Sequence, residues 1–248
     1  DSYSTAELSA RHETLNVKAV VWTAFALRIY EVTMNKIKLL ALDLDGTTLT
    51  SKNTLAPAVK SALEKAIENG IIIAIATGRP LGTMPQSILD IEGIEYLITS
   101  NGAAIYDRHG KKIYSATLKE NDVLKILDVM KDEDIISEAF VDGLTYTDKR
   151  YSDNPLAYGC TEAYIDYVKA SHGHIEDMRK FIFEHKNELD SIEYISTDPQ
   201  TRKRIWTMLE NAVDNIFITT SSEHFIELMD KSATKASALS HLAEMLNI

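Results

Sequence analysis

The chain has 248 residues, a formal net charge of −11 and a single cysteine, Cys160. This length suits one large domain or two ordinary ones, and 45% hydrophobic with 25% charged residues is typical of a globular protein. One cysteine excludes an internal disulfide and is compatible with a reducing compartment, so we predict a cytoplasmic protein. With 26 basic against 37 acidic residues, the chain lacks the basic face of nucleic-acid-binding proteins, and we predict no such partner.

Residues 1–33 differ in character from the rest and are predicted to be an N-terminal extension without an assigned role. Their apolar stretch, residues 19–27, is far shorter than the roughly 20 residues that cross a bilayer. The acidic Asp1 and Glu7 do not fit a secretory signal, which begins with basic residues. We therefore predict no membrane association.

From Lys36 onwards, short β-rich runs alternate with amphipathic helices, which indicates an α/β protein with a parallel sheet. The sequence predicts strands over residues 37–43, 71–76 and 96–99. A helix with one buried face is predicted between the first two strands, with Pro57 near its start. Each of the three strands ends in small or polar residues, and ligands of such sheets bind beyond the carboxyl ends of the strands.

The segment from 112 to 230 has the pattern of an inserted α+β module. A last helix follows, with Ser232 or Thr234 as its candidate N-cap. The acidic string at 128–134 is interpreted as a solvated helix end. His172 and His174, predicted to lie in a loop, are not expected to bind a metal without further ligands. The predicted elements are helices near 123–130, 178–189, 202–211 and 235–246, and strands near 191–197, 215–220 and 224–229.

Asp43 and Asp45 end the apolar strand and are the most informative residues of the sequence. Two carboxylates at such a position are costly unless a cation pairs with them, and carboxylate oxygens suit Mg²⁺. Gly46 permits a sharp turn that brings backbone N–H groups towards an anion such as phosphate. The alternative is a structural Asx-rich turn after a strand, but the preceding apolar strand and the following Gly-Thr favour the metal and phosphate site.

The motifs, taken in order, resemble those of the haloacid dehalogenase-like phosphohydrolases. The run 43–47, Asp-Leu-Asp-Gly-Thr, resembles the first motif of that family, and 73–80, ending in Thr-Gly-Arg-Pro, resembles the second. The run 98–103 is similar to a segment of the Cof-type subgroup, which carries a large α/β cap. Lys235 lies where this subgroup has its third-motif lysine, although Ala236 replaces the usual glycine.

The resemblance implies a doubly wound parallel, Rossmann-like core over 34–111 and 231–248, with an α+β cap domain over 112–230. It further implies a Mg²⁺-dependent phosphatase of small phosphorylated metabolites, such as sugar phosphates, that works through an aspartyl-phosphate. The cap is expected to choose the substrate.

The resemblance also implies a role for each residue of the site. Asp43 would be the nucleophile and a metal ligand, and Asp45 the general acid and base and a second ligand. Thr77 would bind the transferring phosphoryl group, and Lys235 would neutralise its charge. The residues expected to bind phosphate or orient the substrate are Gly46, Thr47, Gly78, Arg79, Asn101 and Gly102.

The family's fourth motif, an acidic segment of the type Gly-Asp-x-x-Asn-Asp, does not follow Lys235, and the sequence has no Gly-Asp pair. We therefore expect a core that is incomplete at its C-terminal side and a chain with weak or no Mg²⁺-dependent turnover. Two alternatives stay open: a degenerate, non-catalytic protein that binds a phosphorylated metabolite, and a phosphomutase. A phospho-accepting receiver domain is excluded by chain length and by the long insertion before Lys235.

Overall fold

The structure is a computed structural model that describes residues 37–50 and 52–248. The predicted N-terminal extension, residues 1–33, lies outside this range. In the described part of the chain, no helix is both long enough and apolar enough to cross a membrane.

The core domain is built on a five-stranded sheet with the strand order β1-β2-β3-β4-β5. The first three strands are parallel, and the last two extend the sheet as antiparallel neighbours. The carboxyl ends of β1, β2 and β3 therefore lie side by side at one edge. The strands are β1 (Leu39–Leu42), β2 (Ile72–Ala76), β3 (Ile94–Thr99), β4 (Ala104–Asp107) and β5 (Lys112–Ser115).

Two helices, α1 (Pro57–Glu68) and α2 (Gln86–Leu89), cover one face of this sheet. Pro57 occupies the first turn of α1, where its missing N–H costs nothing, and Leu63 is among the residues that α1 buries. Strand β2 consists only of Ile and Ala, and four of its five residues are buried. Such a continuous apolar run is typical of a parallel strand covered on both faces.

The segment expected to form the cap builds a second sheet of six strands, with the order β10-β11-β9-β6-β7-β8, and we call this region the cap domain. One face packs on the helices α3, α6 and α7, and the other face is covered by the segment 149–171, which contains α4 and α5. The strands are β6 (Ile136–Val141), β7 (Leu144–Asp148), β8 (His172–Ile175), β9 (Leu189–Ile195), β10 (Ile216–Thr219) and β11 (Phe225–Asp230). The helices are α3 (Glu120–Val129), α4 (Lys149–Asp153), α5 (Ile165–Ser171), α6 (Met178–Glu184) and α7 (Pro199–Ala212).

After β11 the chain returns to the core as α8 (Lys235–Met245), which packs on the opposite face of the core sheet from α1. Of the two N-cap candidates, the structure selects Thr234, whose side chain accepts a hydrogen bond from the Ser237 N–H. The Ser237 hydroxyl in turn accepts from the Thr234 N–H, which completes a capping box. Helices on both faces make the core a doubly wound α/β fold, as predicted.

Three details differ from the sequence-based expectations. Strand β5 pairs with β4 in the core sheet, so the core extends to Ser115 and not only to residue 111. His172 and His174 lie in β8, which pairs with β7, so the predicted loop is wrong. The helix predicted over 178–189 is shorter than expected: it ends at Glu184, and β9 begins at Leu189.

Candidate active site

Asp43 follows β1 directly and starts a tight turn. Its carboxylate accepts a hydrogen bond from the Leu44 N–H at 2.9 Å, and its backbone carbonyl accepts one from the Thr48 hydroxyl at 2.5 Å. Gly46 adopts φ +72°, a conformation that side chains disfavour, so the turn requires glycine here. The turn fixes the Asp43 carboxylate at the end of the strand.

Lys235, the first residue of α8, donates a hydrogen bond from Nζ to Asp43 Oδ1 at 2.9 Å. The start of α8 lies tightly against the loop after β3, because a Cβ on Gly102 would come within 2.2 Å of the Thr234 carbonyl oxygen. Gly102 also has φ +106°. The absence of a side chain there thus lets the helix bring its lysine and its electropositive end to Asp43.

Asp45 is held by Arg79, which follows β2. The guanidinium donates from Nε to Asp45 Oδ2 at 2.9 Å and from one terminal nitrogen to Oδ1 at 2.7 Å. The same terminal nitrogen reaches Asn53 Oδ1 at 3.2 Å. The hydrogen bonds to Asp45 raise the pKa of Arg79 above its ordinary value. Both oxygens of Asp45 are therefore occupied by a fixed positive charge.

The loops after β2 and β3 are joined through Thr77 and Asn101. The Asn101 N–H donates to the Thr77 carbonyl at 3.0 Å, and the Arg79 N–H donates to the buried Thr77 hydroxyl at 3.2 Å. Gly78 lies so close to the Asn101 amide that a Cβ would be 3.0 Å from its Oδ1. The second motif and the 98–103 segment, identified separately in the sequence, thus form one continuous surface.

Besides Thr77, Gly78 and Asn101, which join the loops after β2 and β3, the predicted site residues are placed as follows. Asp43 and Lys235 contact each other, and Asp45 contacts Arg79. Gly102 packs against the start of α8. Gly46 and Thr47 are exposed on the turn after Asp43, within the same strand-end region.

The metal-binding capacity of this site depends on oxygens that the protein leaves available. No described residue donates a hydrogen bond to Asp43 Oδ2, whereas both oxygens of Asp45 bond to Arg79. Among residues 37–50 and 52–248, no group of three or more His, Cys, Asp or Glu side chains is arranged around a common metal position. One or two carboxylates fit Mg²⁺, which commonly completes its shell with water and substrate phosphate.

Sequence reasoning missed two contacts between core and cap beside this site. Asn53 donates from Nδ2 to the Tyr164 hydroxyl of the cap at 2.9 Å. Asn101 donates from Nδ2 to Glu227 Oε2 of β11 at 3.1 Å. Neither cap residue belongs to a motif, and 111 and 126 positions separate the partners, so no local pattern indicates these pairs.

The sequence model of the haloacid dehalogenase-like hydrolases matches residues 40–248. The chain belongs to this family. It is a Cof-type member and a phosphoric monoester hydrolase, in agreement with the order of its motifs and with the fold. The matched region contains both aspartates, Arg79 and Lys235.

Curated relatives and solved structures of this hydrolase family agree with that assignment. Phosphatase YwpJ of Bacillus subtilis is 30% identical over 86% of this chain and 80% of its own length. The 5-amino-6-(5-phospho-D-ribitylamino)uracil phosphatase YwtE of the same organism is 26% identical over 86% and 78%. The solved structure of a haloacid dehalogenase-like hydrolase from B. subtilis is 28% identical, covers 86% of this chain and 80% of its own, and superposes with a TM-score of 0.70.

Proposed function

We propose that the chain is a Mg²⁺-dependent phosphatase of small phosphorylated metabolites, sugar phosphates among them, and that it works through a phosphorylated Asp43. The observation that carries the proposal is the contact between the Asp43 carboxylate and the Lys235 ammonium at the end of β1. A nucleophilic carboxylate beside a fixed cation suits attack on a phosphate ester, whose oxygens carry negative charge. The relative YwtE is named for a phosphorylated ribityl compound, which supports a small phosphorylated substrate.

In the proposed reaction, an oxygen of Asp43 forms a bond to phosphorus while the bond from phosphorus to the ester oxygen breaks. Asp45 gives a proton to the leaving alcohol and later takes one from the water that cleaves the aspartyl-phosphate. Arg79 bonds once to each oxygen of Asp45, which orients the carboxylate and leaves a second lone pair on each oxygen for the transfers. Lys235 neutralises the phosphoryl oxygens throughout.

Asp43 and Asp45 would hold the metal ion, in the case of Asp45 through its backbone carbonyl while Arg79 occupies its side chain. Mg²⁺ supplies a further positive charge next to the phosphoryl oxygens when it is bound.

The proposal is tested by replacing the nucleophile without changing its size. Asp43→Asn should lower Mg²⁺-dependent phosphate release from p-nitrophenyl phosphate by at least about 10³-fold, because the amide oxygen is a poor nucleophile. The exposed Asp132→Asn serves as a matched control and should keep the wild-type rate. Acid-quenched single turnovers with ³²P-labelled substrate should leave a hydroxylamine-labile label on the wild-type chain and none on Asp43→Asn.

The remaining outcomes separate the alternatives. Phosphate release that persists in Asp43→Asn would refute the role of this aspartate. Saturable binding of a sugar phosphate with no release and no label would favour a non-catalytic binding protein. Transfer of the phosphoryl group between positions of a sugar, with no free phosphate, would favour a phosphomutase.

A further inference from the structure

Three glutamates form a continuous row across the cap sheet, and we name Glu138, Glu193 and Glu227 the glutamate row. Glu227 on β11 is the direct cross-strand partner of Glu193 on β9, and Glu193 is the direct partner of Glu138 on β6. Directly paired residues point to the same face of a sheet, at a strand spacing of about 4.8 Å. All three side chains are buried, with exposures of 3, 7 and 4% in chain order.

The glutamate row lies on the face of the cap sheet that faces away from the cap's hydrophobic core. The alternate residues, such as Ile192 and Leu228, pack on the other face against the cap helices. Glu227 accepts the hydrogen bond from Asn101, whose backbone is joined to Thr77 in the phosphate-binding loops. The row therefore begins at the loop that contains Asn101, next to the proposed phosphate site, and extends from there across the cap sheet.

No cation compensates the glutamate row within the described part of the chain. Among the described residues, none of the three forms an ion pair with a lysine or an arginine, and the basic group in contact with the row is His172, whose Nε2 lies 3.5 Å from Glu138 Oε1. Burial lowers the pKa of His172 to about 4, so this ring is neutral near pH 7. Burial also raises the pKa of Glu138 to about 7 and, together with repulsion by its two neighbours, the pKa of Glu193.

Several polar atoms along the row have no hydrogen-bond partner among residues 37–50 and 52–248. They are Oε1 of Glu138, Oε1 of Glu227 and the hydroxyl of Thr147, which is fully buried and is the cross-strand partner of Glu138. Unsatisfied buried polar groups are costly and rare in native proteins. A ligand that carries both N–H donors and positive charge would satisfy the oxygens and reduce the repulsion.

We propose that the glutamate row binds a protonated amino group on the alcohol part of the phosphate ester, so that amino sugar phosphates are preferred over their neutral counterparts. This inference rests on the proposed function for the position of the phosphate, at Asp43 and Lys235. Glucosamine 6-phosphate and glucose 6-phosphate form a matched pair of probes. They differ only in an amine or a hydroxyl at C2, on the far side of the ring from the phosphate.

The primary measurement is the dissociation constant of each sugar phosphate. It is obtained by calorimetric titration into the wild-type chain and into the variants Glu193→Gln and Glu210→Gln. The wild-type chain should bind glucosamine 6-phosphate at least about 10-fold more tightly, as hydrogen bonds between charged groups allow. Glu193→Gln removes the central carboxyl group of the row, and the ratio of the two affinities should fall to about 3-fold or less. Glu210, exposed on α7, lies outside the row, so Glu210→Gln should keep the wild-type ratio.

The outcomes separate this inference from the proposed function. Equal affinities in the wild-type chain, or a preference that survives in Glu193→Gln, would overturn the inference while leaving hydrolysis untouched. Hydrolysis that fails while the charge-dependent preference in binding persists would refute only the proposed function. If Glu193→Gln does not fold, as judged by its thermal transition, Glu138→Gln gives the same test at the next strand.

Discussion

Asp43 and Asp45 are separated by one residue and yet bond to different cations from different parts of the chain. Asp43 bonds to Lys235, 192 positions away, and Asp45 to Arg79, 34 positions away. Both pairs are partly exposed, so neither is expected to add much to stability. The two contacts orient the carboxylates: Lys235 holds Asp43 at the strand end, where we propose that it attacks phosphorus, and Arg79 holds Asp45, the proposed proton donor and acceptor.

At the residue scale, Gly102 is the position where a single methyl group should matter most. Gly102→Ala would bring Cβ to 2.2 Å from the Thr234 carbonyl oxygen and is strained at φ +106°. We expect it to lower the free energy of unfolding by about 3 kcal/mol, measured by urea denaturation. Gly70→Ala is the matched control, with φ +80° but no neighbour within 4 Å, and should cost only about 1 kcal/mol. If Gly102→Ala and Gly70→Ala lowered the free energy of unfolding equally, the close packing of Gly102 against the start of α8 would contribute nothing to stability.

At the element scale, the start of α8 decides where Lys235 lies. The capping box of Thr234 and Ser237 satisfies backbone N–H groups that the first helical turn leaves without partners. Because Lys235 is the next residue after the cap, any fraying of this turn moves its ammonium away from Asp43. The helix start therefore serves both stability and the site.

Thr234→Ala removes the hydroxyl that caps α8. It should lower the free energy of unfolding by about 1 kcal/mol, and it should also lower the rate of phosphate release because the first turn of α8 holds Lys235. Ser240→Ala, at an exposed position of the same helix, should change neither quantity. A Thr234→Ala chain with reduced stability and an unchanged rate would contradict the link between the cap and Lys235.

Most elements with strong local signals could be predicted from the sequence. The periodic helix α1, the apolar strand β2 and the N-cap candidate Thr234 all carry such signals. The hairpin of β6 and β7 was missed although Asp142 and Gly143, both with positive φ, form the Asp-Gly turn typical of hairpins. The contacts of Asn53 and Asn101 with the cap depend on tertiary packing, which no local pattern encodes.

At the scale of the whole molecule, the glutamate row should make stability depend on pH. Burial raises the pKa of Glu138 from 4.5 to about 7, so its neutral form is favoured in the folded state. Its contribution to stability is complete below about pH 4.5 and is lost as the pH rises through about 7. His172 has the opposite effect. Because burial lowers its pKa in the folded chain to about 4, the free energy of unfolding decreases as the pH falls below 6.5.

Glu138→Gln should remove the loss of stability towards high pH. The free energy of unfolding of the variant, relative to the wild-type chain, should rise by on the order of 2 kcal/mol between pH 5 and pH 8. Urea denaturation at a series of pH values measures this difference. A difference that stays constant over this range would show that Glu138 is as easily ionised in the folded chain as in the unfolded one.

The two asparagines that reach the cap also belong to loops at the proposed phosphate site. Asn53 bonds to Arg79 on one side and to Tyr164 on the other, and Asn101 joins Thr77 to Glu227. A movement that takes the cap away from the core would break both of these amide hydrogen bonds and so loosen the loops that we propose hold phosphate. By thermodynamic reciprocity, a phosphate that tightens those loops must favour the closed cap by the same free energy.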